Sequence, residues 1–317
     1  MSEPDVLVLR RGTHGMPVDD LVSEIEARLP NREIALARTP EEERELIERV
    51  RIVAGMTIEE DLVTEAREME LFACAYAGTG HLPLSALESA GVRVTNASGV
   101  HGPNVAEHAI GAILAFTRRF FRARNQQERR EWRHFQAGEL QGETVTVVGL
   151  GAIGRAISER LEGFGVETIG VRYTPEKGGP TDEVIGFGEG EFHEALSRTD
   201  HLVLSCPLTD ETEGLVDEAE FTTLPPDALL VNVARGPVVD TDALVNAIRS
   251  NQLRGASLDV TDPEPLPEEH PLWGFENVQV TPHNSGHTPE YYARFADIVA
   301  ENVERLKRGE ELRNQVV

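Results

Sequence analysis

Three segments in the second half of the chain carry residue types suited to chemistry on a small anion. Arg235 falls within Val231-Asn-Val-Ala-Arg-Gly-Pro-Val-Val-Asp240, at the C-terminal end of an expected strand. Glu264 falls within Leu258-Asp-Val-Thr-Asp-Pro-Glu-Pro265, in the loop after a second strand. His283 falls within Val280-Thr-Pro-His-Asn-Ser-Gly286, after a third. A guanidinium fork can hold a carboxylate, and an imidazole titrates near neutrality, so it can give or take a proton. Ligands of open α/β sheets sit beyond the carboxyl ends of the strands, so these side chains can converge over one crevice. Singly, each has an ordinary reading: a solvated ion-pair arginine, a surface glutamate in a proline-rich loop, a structural histidine. Their company raises the chemical reading.

That company is a nucleotide fingerprint. Gly149-Leu-Gly-Ala-Ile-Gly154 closes an apolar run that begins at Thr144 and opens a helix expected over Ala152–Gly163. Gly149 allows a tight turn, Gly151 lets the backbone approach a pyrophosphate, and Gly154 lets helix and strand pack closely. The amides of Ala152 and Ile153 then face the pyrophosphate at the helix N-terminus. The motif alone could be a plain glycine-rich turn, but the strand before it, the helix after it and a second strand at Glu167–Arg172 agree with binding. An NAD site wants a carboxylate at the end of that second strand. Here stand Arg172, Tyr173 and Thr174. A guanidinium suits a 2′-phosphate and a neighbouring hydroxyl can add a hydrogen bond. NADP(H) is therefore the expected preference, with NAD(H) accepted because nothing bulky or acidic excludes it. No metal site is expected. His283 and His287 have i, i+4 spacing, but Pro282 and Gly286 argue against a helix and no third ligand is near.

The elements that must position these groups alternate along the chain. Strands are expected at Asp5–Arg10, Glu33–Arg38, Arg51–Gly55, Leu71–Tyr76 and Arg93–Ser98, with helices at Asp19–Leu29, Pro40–Val50, Ile58–Met69 and Pro83–Ala90. A helix over Asn104–Phe121 and a charged helical stretch to about Gln136 follow. Strands then recur at Thr144–Gly149, Glu167–Arg172, His201–Cys206, Ala228–Ala234, Ala256–Val260 and Val278–Thr281. Helices fit Ala152–Gly163, Thr241–Ser250 and Thr288–Lys307. Such alternation predicts an α/β protein of two doubly wound parallel-sheet domains.

Composition bounds the partners. The 317 residues are 40% hydrophobic and 5% aromatic, so an aliphatic core is expected in each domain. Acidic residues number 55 against 30 basic ones, a formal charge of −25, and only Lys177 and Lys307 are lysines. That surface repels phosphate backbones and anionic lipid, which excludes general nucleic-acid and membrane binding. It resembles proteins of salt-accumulating halophiles. Cys74 and Cys206 sit in apolar runs and read as buried thiols. No stretch is apolar enough to span a bilayer and the first residues lack a secretory pattern, so a cytoplasmic protein is expected.

With these motifs together, the chain resembles the D-isomer-specific 2-hydroxyacid dehydrogenase family over nearly its whole length. The markers are Gly149–Gly154, Cys206-Pro-Leu-Thr209 with Glu211-Thr-Glu-Gly214, Val233-Ala-Arg-Gly236, Asp259 with Glu264-Pro265, and Pro282-His283. The resemblance implies reduction of a 2-oxo acid to a D-2-hydroxy acid, with Arg235 on the substrate carboxylate and His283 as proton donor. Glu264, paired to His283, orients the ring and favours its charged form; a formate dehydrogenase would carry glutamine there. It adds Cys206, Pro207, Thr212, Val233, Ala234, Asp259 and Gly286 along the cofactor. It gives the turn Ala77, Gly78 and Thr79 amides for the substrate carboxylate, although members usually carry Gly-Val-Gly-Tyr-Asp there, and it lets Tyr76 and Met56 shape the pocket. It also implies a flavodoxin-like substrate domain at 1–98 and 288–317, a Rossmann domain at 99–287, and a homodimer pairing through residues 104–136. A phosphoglycerate enzyme is disfavoured, since the first domain's turns offer few cations. The competing reading is a dinucleotide-sensing interaction protein, like the co-repressors built on this fold; those usually have long unstructured tails, which are not expected here.

Overall fold

Short, mostly apolar strands, fully buried at the sheet centres and half-buried at the edges, build two all-parallel sheets. The computed structural model describes residues 4–317, with Glu189 described by its backbone alone. The chain divides into two compact units, one running to Val100 and resuming at His287, the other spanning His101–Gly286. The division comes at 100 and 287 rather than at 98 and 288. Val100 is buried in the first unit's core and the His287 ring lies 5.1 Å from that of His14, in the same unit.

The first unit alternates β1 (Val6–Val8), α1 (Val18–Arg28), β2 (Ile34–Leu36), α2 (Pro40–Ile47), β3 (Ile52–Gly55), α3 (Glu60–Glu65), β4 (Leu71–Cys74), α4 (Leu84–Ser89) and β5 (Arg93–Thr95). Its strand order is β2-β1-β3-β4-β5. Successive strand residues face opposite sides: Val6 and Val8 pack with Ile25, Phe295 and Val299, whereas Leu7 packs with Ile47, Phe72 and Leu87. Thr39 caps α2, its hydroxyl accepting from the Glu42 amide at 3.2 Å, with Pro40 in the first turn as its fixed φ favours.

The second unit contains α5 (Gly102–Thr117), α6 (Phe120–Glu128), β6 (Thr144–Val148), α7 (Ala152–Leu161), β7 (Glu167–Val171), β8 (Glu183–Ile185), α8 (Glu189–Ser197), β9 (His201–Leu204), α9 (Glu218–Thr223), β10 (Leu229–Asn232), α10 (Thr241–Arg249), β11 (Gly255–Leu258) and β12 (Val278–Val280). The last helix, α11 (Tyr291–Arg308), belongs to the first unit and packs on α1. The seven-stranded order is β12-β11-β10-β9-β6-β7-β8, so the winding reverses between β6 and β9. The carboxyl ends of those two strands mark the place where such a sheet takes its ligand.

Three expectations need correction. Helix α5 stops at Thr117 and a left-handed Arg119 separates it from α6; the helical stretch then ends at Glu128, not near Gln136. Beyond Glu128, Arg130 turns left-handed at φ 56°, and Arg129, Arg130, Glu131, Arg133, His134 and Gln136 leave no continuous apolar stripe for a helix to bury. Strand β8 and helices α8 and α9 were not expected. Finally, α3 is a six-residue helix, well short of Ile58–Met69. Among the described residues no helix is long and apolar enough to cross a membrane.

Candidate active site

Strand β6 ends at the glycine motif, and each glycine has a distinct steric reason. Gly149 has φ +94°, and a Cβ there would lie 2.6 Å from the Cys206 Cα. A Cβ on Gly154 would lie 1.9 Å from the Gly149 carbonyl oxygen, so helix α7 packs against the strand only without it. Gly151 faces open space, with nothing within 4 Å of a Cβ. No side chain caps α7 at Gly151, so the first-turn amides, those of Ala152 and Ile153 among them, are available to an anion.

Beyond these ends lies a cavity of about 740 Å³. Gly149, Gly151, Arg172, Tyr173, Thr174, Cys206, Pro207 and Thr212 line it, so eight of the expected cofactor residues share one space. Ala152, Ile153, Gly154, Val233, Ala234, Asp259 and Gly286 are not in its lining. The lining also holds Leu150, Lys177, Phe187, Thr209, Glu211 and Leu215, which the sequence reading did not single out as contacts. Thr212 spends its hydroxyl internally: it donates to the Pro207 carbonyl at 2.6 Å and accepts from the Thr209 amide at 2.8 Å, pinning the loop after β9. Burial pushes the Cys206 thiol up to about 11, so it stays protonated near neutrality. Glycine hinges, an uncapped helix start and a cavity with a cationic wall fit a dinucleotide phosphate.

The other cluster gathers at the carboxyl ends of β10, β11 and β12. Arg235 is exposed and donates from Nη1 to the Ala234 carbonyl at 2.6 Å. Val233 and Ala234 are buried beneath it. A Cβ on Gly236 would lie 2.0 Å from the Thr261 carbonyl oxygen, so Arg235's loop lies directly on the loop leading to Glu264. The Thr241 hydroxyl bonds the Asp262 carbonyl at 3.0 Å and ties the same two segments. His283 Nδ1 donates to Glu264 Oε1 at 2.6 Å, which leaves Nε2 on a ring 48% exposed. The structure therefore brings Glu264 and His283 together as a pair.

His283 has φ +51°, an uncommon conformation for a residue with a side chain. Its amide donates to the Asp259 carbonyl at 2.8 Å. The Asp259 carboxylate accepts from the Thr281 hydroxyl at 2.6 Å, the Asn284 amide at 2.8 Å and the Ser285 amide at 3.0 Å. Burial works against its ionisation, but the hydrogen bonds from Ser285, Thr281 and Asn284 outweigh it and hold the carboxyl below the usual range. Asn104, from α5, donates to the Ser285 carbonyl at 2.6 Å, and Gly286 passes close to the His101 ring. The sequence reading missed the clasp made by Asp259, Thr281 and Asn104; a buried Asp immediately after an apolar strand was its only signal.

Ala77, Gly78 and Thr79 lie in the first unit, on the turn after β4; Ala77 and Gly78 are exposed. Asn96 donates to the Ala77 carbonyl at 2.7 Å and fixes the turn. The Tyr76 ring stands edge-on to those of His14 and His81, and His81 Nε2 reaches the Met56 carbonyl at 2.8 Å.

A family model described as D-isomer specific 2-hydroxyacid dehydrogenase, NAD binding domain, matches residues 110–285. The chain is 36% identical to a glyoxylate reductase of Thermofilum pendens over 260 residues, 80% of this chain and 76% of that one. It is 32% identical to a D-3-phosphoglycerate dehydrogenase of Methanocaldococcus jannaschii over 290 residues, 90% of this chain but 55% of that one. Its fold matches a D-isomer specific 2-hydroxyacid dehydrogenase of Xanthobacter autotrophicus, solved with NADPH and MES, with a TM-score of 0.79 and 28% identity, covering 99% and 98% of the two chains. Fold, fingerprint and relatives agree: the chain belongs to the D-isomer specific 2-hydroxyacid dehydrogenase family, oxidoreductases with an NAD(P)-binding domain.

Proposed function

We propose that the protein is a D-2-hydroxyacid dehydrogenase working as an NADPH-preferring reductase of 2-oxo acids. The observation that carries this is the 2.6 Å pair of His283 and Glu264, on a half-exposed imidazole at the strand ends that also carry Arg235. Arg235 holds the substrate carboxylate by its fork. A nicotinamide dinucleotide, held by the Gly149–Gly154 turn and the α7 amides, would supply the hydride for C2. His283 gives its Nε2 proton to the carbonyl oxygen, so the C=O bond becomes C–OH and the imidazolium becomes neutral imidazole. Glu264 holds the ring's other nitrogen and stabilises the charged donor form. In the oxidative direction His283 takes the proton back.

Arg172 at the end of β7, with Tyr173 and Thr174 beside it in the cavity, supports the NADPH preference. The excess of 55 acidic over 30 basic residues supports an enzyme suited to high salt. Exposed Phe120, at the start of α6, and exposed Trp132, after it, support a homodimer formed through residues 104–136, which sedimentation would test.

The test is the initial rate of NADPH and NADH oxidation at molar salt, with glyoxylate and hydroxypyruvate first and then branched and aromatic 2-oxo acids. Turnover led by NADPH is expected. Turnover led by NADH would overturn the cofactor preference and keep the enzyme. No turnover with any pair, with cofactor still bound, would overturn the reductase.

A further inference from the structure

Lys177 is one of two lysines in a chain otherwise furnished with arginine, and it lines the cofactor cavity. Its place there depends on a hooked turn. Arg172, at the end of β7, donates from Nη1 to the carbonyl of Gly178, one residue beyond Lys177. Between them Pro175–Lys177 forms a single tight helical turn, closed by the Lys177 amide on the Thr174 carbonyl at 3.2 Å and the Gly178 amide on the Pro175 carbonyl at 2.9 Å. Gly178 then leaves at φ +60°, which glycine adopts without strain. The turn is folded back by the Arg172 side chain, and both cations line the same space.

Among the described residues Lys177 makes no ion pair with a carboxylate, so its ammonium is not committed within the chain although the net charge is −25. Glu211, the carboxylate in the cavity lining, follows β9, whereas both cations follow β7. The segment after β7 therefore brings an arginine, a lysine and a threonine to the cavity lining. A planar fork with a mobile three-donor cation matches a phosphate monoester dianion, which offers three acceptor oxygens to groups arriving from different directions.

We propose that Lys177 is a second determinant of cofactor choice, closing with Arg172 on a 2′-phosphate of the bound dinucleotide's ribose. This rests on the NADPH reading above and adds to it a residue that discriminates by charge alone.

The experiment compares wild type with Lys177→Gln and Lys177→Arg, each at the salt concentration that supports wild-type activity. The readouts are the ratio of kcat/KM for NADPH to that for NADH, and calorimetric binding of 2′,5′-ADP and 5′-AMP. Lys177→Gln is expected to lower the ratio five- to twentyfold and to weaken 2′,5′-ADP by the same factor relative to 5′-AMP. Lys177→Arg is expected to restore most of both. Because each readout is a ratio, a general loss of folded protein cancels. A wild type that prefers NADPH and binds 2′,5′-ADP over 5′-AMP, with both preferences unchanged in Lys177→Gln, would overturn the role of Lys177 alone. A wild type that binds 2′,5′-ADP no more tightly than 5′-AMP would overturn the NADPH reading, and the proposal with it.

Discussion

The carbonyl of Asp259 accepts the amide of His283 at 2.8 Å, while the Asp259 carboxylate grips the next two amides, those of Asn284 and Ser285. One buried residue thus fixes the backbone on which the proposed proton donor stands. The left-handed φ of His283 costs free energy that surrounding contacts must offset, and these bonds are the local means of doing so. The ring is set in turn by Glu264. Backbone and side chain of His283 therefore have separate anchors, and the two can be broken separately.

Asp259→Asn tests the backbone anchor. An amide nitrogen would face either the Ser285 amide or the donors on the other oxygen, leaving a buried N–H unpaired at a cost of about 1–3 kcal/mol. We expect a lower Tm and a fall in kcat of at least tenfold. The pH dependence has a definite sign. The carboxyl is held lower in the folded chain than in the unfolded one, so its stabilisation is full above about pH 4 and is lost as pH falls through the lower native value. Thermal unfolding followed from pH 7 to pH 3 should decline less steeply in Asp259→Asn than in wild type. Parallel curves would show that Asp259 is not the group responsible.

What could be read in advance followed burial. The central strands of the first sheet are apolar runs such as Ile52–Gly55 and Leu71–Cys74, and burial on both faces writes itself as unbroken hydrophobicity. Strand β8 escaped notice because it has only three residues, one of them Glu183, at a sheet edge where burial is incomplete. Helices α8 and α9 are short and rich in glutamate, so their apolar side is a few residues wide. At the site, the glycine motif was legible because steric need confines the residue type. Lys177 was not, since its approach to the cavity depends on Arg172 bonding the Gly178 carbonyl, and nothing in the spacing announces that.

The catalytic assignment predicts different kinetic signatures for its three residues. His283→Ala should lower kcat by about 10²- to 10⁴-fold, the range general acid catalysis supplies. Glu264→Gln keeps a hydrogen-bond acceptor for Nδ1 but removes the charge, so a smaller loss of kcat is expected with the KM for 2-oxo acid nearly unchanged. Arg235→Lys keeps the charge and loses the fork, so KM for the 2-oxo acid should rise at least tenfold. Steady-state rates with nucleotide affinity measured in parallel separate these cases. Wild-type kcat in His283→Ala would remove it as proton donor.

Cys74 and Cys206 should be chemically silent in the native protein. Burial pushes both thiols up to about 11, so the reactive thiolate is scarce at pH 8. A thiol reagent such as DTNB should label neither in the folded state and both after unfolding. Fast native labelling confined to Cys206, blocked by nucleotide, would instead mean that the cavity wall opens to solvent.

Two glycines three positions apart should fail in different ways. Gly154→Ala places a methyl group 1.9 Å from the Gly149 carbonyl oxygen, a backbone atom that cannot move without pulling α7 from β6. We expect a loss of about 3 kcal/mol or more in stability, with poor recovery of folded protein. Gly151→Ala meets nothing within 4 Å and has an ordinary φ of −77°, so the fold should keep its Tm. Its methyl group instead takes up the open space through which a pyrophosphate would approach the α7 amides, and nucleotide affinity should fall at least tenfold. Melting curves and nucleotide titration on the two variants give the contrast directly. Equal affinity in Gly151→Ala and wild type would mean that the pyrophosphate does not lie against this turn, and the cofactor's path through the cavity would have to be redrawn.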